Sequence, residues 1–227
     1  MENKFNCNDI VVVGDSFCSE RTLEYHWPVK LVELLTGEST PARGQGYSGA
    51  HWWSTRRSLV RELEISIPKI LVVCHTDPSR YPSDFDYALT FNSTYNRTKE
   101  TWHGNMDVNE DRARFAAQLY YKYLQSDNWD RWTEKAWYKE LDELIDYHSI
   151  PYVVHLFCFT KSSYMFKRGL TSKEYLCALW NSYPGVANHL SVSANISVAT
   201  AIADMITNHY EDGAVKDFNL LRQIMLD

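Results

Sequence analysis

Ile10-Val11-Val12-Val13-Gly14-Asp15-Ser16-Phe17 is the stretch that decides the fold. Four β-branched residues in a row form a short strand buried on both faces, as in parallel sheets covered by helices. Gly14 breaks the strand, and Asp15-Ser16 starts a turn or caps a helix. A side chain just past such a turn stands at the strand's carboxyl end, where open α/β sheets keep their ligand crevices. A serine held there lies near helix N-terminal amides, which is the placement a nucleophilic hydroxyl needs if a base is within reach. Taken alone, Gly-Asp-Ser is more often a plain strand-to-helix turn.

Working outward, Trp27-Pro28 opens a helix with Pro28 at a tolerated first-turn position; Leu31, Leu34 and Leu35 form its apolar stripe and Gly37 ends it. Residues 41–49 carry Gly44, Gly46 and Gly49, which fits a strand end and a loop whose backbone approaches something closely. A helix from Trp52 to Leu63 follows, and a Gly-rich loop opening a helix aims free amides at one point. Lys69 to Cys74 is a second buried strand, running into the polar turn His75-Thr76-Asp77-Pro78. His75 there reads as a ligand, a base or, most commonly for a lone histidine, a hydrogen-bonded loop residue.

Residues 81–108 are irregular and aromatic, and a loop of that length usually has a function of its own. Helices are expected from Asn109 to Gln125 and from Asp127 or Asn128 to Tyr147. Pro151 to Phe159 is a third strand, with His155 read as a core histidine. Residues 160–185 read as loop with a helix from Ser172 to Trp180. A helix from Ser193 to His209 and an apolar helical pattern from Phe218 to Met225 close the chain. Strands alternating with helices predict a three-layer α/β/α sandwich with a small, mostly parallel central sheet of four or five strands. The 227 residues are expected to form a single domain with a large insertion at about 81–148.

The formal charge of −6 and the lack of any basic run argue against a nucleic-acid partner. No apolar run reaches membrane-spanning length, so no membrane partner is expected. Five cysteines without a close pair predict free thiols and a reducing, cytoplasmic setting, and the polar Met1–Asn8 does not read as a signal peptide. Three stretches, Asn92-Ser93-Thr94, Asn96-Arg97-Thr98 and Asn195-Ile196-Ser197, match the glycosylation pattern but carry no weight without a secretion signal.

In order along the chain, these motifs resemble the SGNH, or GDSL-type, hydrolases. Val-Val-Val-Gly-Asp-Ser is similar to that family's first block, and the helix after Trp27-Pro28 to the one that follows it. Gly44-Gln45-Gly46-Tyr47-Ser48-Gly49 resembles the second block, and the strand into His75-Thr76-Asp77 stands where the third, Gly-x-Asn-Asp, would lie. Asn188-His189-Leu190-Ser191 resembles the last block, which carries the catalytic histidine. The resemblance implies a flavodoxin-like sandwich and an esterase that needs no cofactor and no metal. Ser16 would be the nucleophile and His189 the general base. The N–H groups of Ser16 and Gly49, with Thr76, would form the oxyanion hole, and Asp15, Asp77, His75 and Asn188 would orient the base or rim the site.

Two positions depart from the family pattern. Thr76 replaces the family's Asn, and losing one oxyanion donor costs roughly a factor of 10²–10³ in rate. Val186 stands where the family's Asp would orient the histidine, and the analogous loss in a protease triad costs on the order of 10⁴. The expected substrate is a small-molecule or glycan ester. The competing expectation is a hydrolase-like module of little activity, a binding or structural part, for instance of a virus particle, meeting protein partners through the aromatic insertion.

Overall fold

A computed structural model describes residues 5–19, 25–44, 46–47, 50–80, 108–159, 162–182, 190–210 and 215–220. Its five strands are β1 (Ile10–Gly14), β2 (Ile70–His75), β3 (Tyr152–Phe157), β4 (Gly169–Tyr175) and β5 (Val215–Phe218). They lie in the order β1-β2-β3-β4-β5, and every neighbouring pair is parallel. The helices are α1 (Trp27–Thr36), α2 (Trp52–Ile65), α3 (Val108–Tyr123), α4 (Asp127–His148), α5 (Leu176–Ser182) and α6 (Val192–Asp204).

The three strands expected from their β-branched runs are therefore adjacent and parallel. Alternate residues of each serve two cores. Ile10, Val12, Ile70, Val72, Val154 and Leu156 pack with α1 and α6. Val11, Val13, Leu71, Val73, Val153 and Phe157 pack with α2 and α4. Both faces are covered, which is why the strands read as unbroken apolar runs and not as alternating ones. The result is the expected three-layer α/β/α sandwich.

Two stretches differ from the sequence reading. Residues 172–175, expected to begin a helix, complete β4, and the helix starts only at Leu176. Phe218, expected to open a closing helix, ends β5, while residues 221–227 lie outside the described residues. Both strands sit toward the far side of the sheet and carry polar residues, so neither shows a long apolar run.

The glycine-rich stretch makes its close approach to β1. Val12 N–H donates to the Arg43 carbonyl at 2.8 Å, and Arg43 N–H to the Ile10 carbonyl at 3.0 Å. Parallel bridges join Val11 to Arg43 and Gly14 to Gly46. This short strip flanks β1 on the side away from β2. The chain thus runs outward from β1 to the strip and then back across β1 to β2. That reversal is a topological switch point, and it opens at the carboxyl end of β1.

Candidate active site

Gly14 makes the turn at the end of β1 possible. Its φ of 144° is a conformation side chains rarely adopt, and a Cβ there would overlap the Cys74 carbonyl on β2. Asp15 then caps a single 3₁₀ turn, Ser16–Cys18, with its carboxylate accepting from the Ser16 N–H. Gly46 lies against this turn: a Cβ on it would stand 2.5 Å from the Asp15 carbonyl oxygen and 2.6 Å from Cys18 Sγ. Ser16 is buried, 4% exposed, at the switch point.

The Asp15 side chain is fully buried and well partnered. Its Oδ2 accepts from Thr76 Oγ1 at 3.0 Å and pairs with Arg80 Nη1 at 2.9 Å. Arg80 in turn donates to the Ala50 carbonyl at 3.2 Å and lies over the Phe159 ring at 4.8 Å. Thr76 has one hydroxyl hydrogen, and here it is directed at Asp15. Two of the groups expected to face an oxyanion, Ser16 N–H and Thr76 Oγ1, therefore converge on a carboxylate. Asp77 lies in the turn beyond and accepts from the Ser79 N–H at 2.9 Å. Arg80 carried no signal in the sequence, because nothing in a turn 65 residues downstream marks it as the partner of Asp15.

His75 is not a loop residue. It ends β2, is 3% exposed, and stacks on Phe166 and His155. His155 is the core histidine expected, and the two rings meet at 3.0 Å between His75 Nε2 and His155 Nδ1. His155 Nε2 reaches the Arg168 carbonyl at 3.2 Å. A carbonyl only accepts, so His155 carries its hydrogen on Nε2. Its Nδ1 is then an acceptor, His75 donates from Nε2, and His75 Nδ1 is left as a bare lone pair. Burial, with the neighbouring His155, holds His75 well below its ordinary pKa; burial lowers His155 to about 3. Both rings are neutral near pH 7.

His189, Asn188 and Gly49 lie outside the described residues. The residue after His189 is described and anchored. Leu190 is buried among the α1 and α6 side chains, and its carbonyl accepts from Asn195 Nδ2 at 2.9 Å. Asn195 Oδ1 accepts from the Trp27 N–H at 3.0 Å, and Trp27 Nε1 donates to the Phe17 carbonyl at 2.7 Å. Three hydrogen bonds through two buried side chains thus tie Leu190 to the turn that carries Ser16. Asn195 sits in one of the glycosylation-like triplets, yet it is 1% exposed and its amide serves inside the fold.

All five cysteines are free, and Cys18, Cys74 and Cys158 are buried. Among the described residues no group of three or more His, Cys, Asp or Glu is arranged to hold a metal ion, and no helix is long and apolar enough to cross a membrane. No family model, no curated protein and no solved structure matches the chain.

Proposed function

We propose that the chain is a serine esterase of the SGNH type, acting on small acyl esters through Ser16 and His189. The observation that carries this reading is the hydrogen-bonded path from Phe17 through Trp27 and Asn195 to Leu190. It ties Leu190, the residue after His189 in the chain, to the turn that carries Ser16, and so supports a pairing of the two. The switch-point position of Ser16 adds to it.

In this mechanism Ser16 Oγ attacks the ester carbonyl carbon while His189 takes the hydroxyl proton. The tetrahedral oxyanion is held by N–H donors of the Ser16 turn and of Gly49. The C–O bond to the alcohol breaks, and His189 returns the proton to the departing oxygen. Water then attacks the Ser16 ester and gives a proton to His189, which passes it to Ser16 Oγ as the acyl C–O bond breaks, releasing the carboxylic acid and restoring both residues. Turnover is slow, for two reasons. Val186 offers no carboxylate to orient His189. The Ser16 N–H and Thr76 hydroxyl would have to leave Asp15 to serve an oxyanion.

That same Asp15 arrangement favours a second reading, in which the hydrolase-like framework is kept as a binding or structural module. Release of p-nitrophenol from its acetate ester separates the two. The esterase reading expects slow wild-type turnover that both Ser16→Ala and His189→Ala abolish. Equal, background-level rates for all three proteins would leave the module reading.

A further inference from the structure

α3 is apolar on two opposite sides. Ala117 and Tyr121 are buried and turn inward. Phe115, Leu119 and Tyr123 recur every four residues on the other side of the helix, and they are 62%, 41% and 67% exposed. Leu124, directly after the helix, is 70% exposed. A surface helix normally turns one apolar stripe to the core and a polar face to water; a helix apolar all round is one that is covered all round. Leu34, Tyr147 and Met165 are exposed too, but singly and on separate elements, which is ordinary for a protein surface.

The size of the stripe and the charges at its ends say what covers it. At those exposures Phe115, Leu119, Tyr123 and Leu124 offer on the order of 400 Å² per copy. With exposed Ala116 and the stems of exposed Arg112 and Lys122 included, two facing copies would cover about 1,000 Å², the floor for a specific interface. Arg112 lies one turn before Phe115 on the same side of the helix, and exposed Asp127 lies just past the helix end. The stripe thus begins beside a positive charge and ends near a negative one. Such a surface is complementary to itself when turned end for end.

We propose that α3 is the contact of a two-fold dimer with a second copy of this chain, the two helices running close to antiparallel with Leu119 at the axis. Phe115 of each copy then lies against Tyr123 of the other. Arg112 of each reaches the end of the other's α3, where Asp127 stands. Lys122 faces Ala116, so like charges do not meet at the axis. The interface stands whether or not Ser16 is a nucleophile, because it uses none of the residues assigned to bond cleavage.

The test is sedimentation of the full chain across about 1–200 μM, a range that brackets a weak dimer with a dissociation constant on the order of tens of micromolar. Wild type should show a reversible monomer–dimer equilibrium. Leu119→Lys sets two like charges at the axis and should weaken the dimer at least about a hundredfold. Arg112→Glu should weaken it about tenfold, since the pair with Asp127 occurs twice in a two-fold dimer, and adding Asp127→Arg should restore it. That rescue reads the proposed register and does not depend on how Leu119→Lys folds. Tyr147→Lys, at the far end of α4, should leave the dimer unchanged. A chain that stays monomeric throughout, whether the face is covered by its own residues 81–107, by another protein or by nothing, would overturn the proposal. A dimer that ignores Leu119→Lys, or an Arg112→Glu loss that Asp127→Arg deepens, would do the same.

Discussion

Two buried polar clusters stand side by side where β2 ends, and they are built on opposite principles. Asp15 is a charge with every need met: a backbone N–H, the Thr76 hydroxyl and the Arg80 guanidinium. His75 is a neutral ring one residue before Thr76, fixed on one side by His155 and without a partner on the other among the described residues. The first cluster holds a turn in shape. The second keeps a lone pair unspent in the core. A saturated buried group repays its desolvation with hydrogen bonds, whereas an unsaturated one carries that cost unmet.

Removing a partner from each cluster should therefore have unequal consequences. The largest effect is expected at Arg80. Arg80→Met leaves Asp15 buried without its counter-charge, and such changes cost about 3–5 kcal/mol. The denaturation midpoint of the variant measures this, and adding Asp15→Asn should restore part of the loss. A loss below 1 kcal/mol would mean that the carboxylate is held by its other two donors alone.

The threonines give the sharpest contrast because the chemical change is the same. Thr76→Val removes a hydrogen bond to a carboxylate and should cost about 1.5–3 kcal/mol. Thr55→Val removes a buried hydroxyl that has no partner among the described residues, and should stabilise the fold by about 1 kcal/mol, because an unmet desolvation cost goes with it. Equal losses at the two positions would erase the distinction between the clusters.

A smaller effect, visible only as a slope, comes from His51, which caps α2 by accepting the Trp53 N–H on Nδ1 at 3.2 Å. Burial, with the nearby Arg80, lowers its pKa to about 3. The unfolded chain takes up this proton near pH 6.5, so His51 costs nothing above that pH and destabilises the fold as pH falls toward 3, at about 1.4 kcal/mol per unit. His155 and His75 act in the same direction, while the raised carboxylates Asp130, Glu134 and Asp142 act in the opposite one. His51→Asn keeps a capping acceptor and removes the titration. Denaturant unfolding between pH 6.5 and 4 should show a shallower acid loss in the variant, and parallel curves would contradict the assignment.

The fold was legible wherever burial on both faces left its mark. Ile10–Val13, Ile70–Cys74 and Tyr152–Phe157 are strands because the two helix layers demand apolar side chains of both alternating sets. β4 and β5 were missed because Gly169–Tyr175 and Val215–Phe218 mix polar residues into short pairings, and the Leu176–Leu179 spacing pulled the helix reading too far back. In the site, Asp15, Ser16 and Thr76 were legible as strand-end residues. Arg80, Trp27 and Asn195 were not, because their roles depend on which segments the parallel register brings together. The His75–His155 contact is of the same kind. Eighty residues separate the pair, and they meet because Val73 lies opposite His155, and His75 opposite Phe157, in the β2–β3 register. His51 went unnoticed as a cap because histidine is not among the usual capping residues.

The central claim, that the turn after β1 presents a reactive serine, is tested most directly by mass spectrometry after incubation with a fluorophosphonate. The account predicts a single covalent adduct on the peptide containing Ser16, absent in Ser16→Ala and strongly slowed in His189→Ala. An unlabelled Ser16 in a folded wild-type chain, or labelling that persists at the same rate without His189, would contradict it.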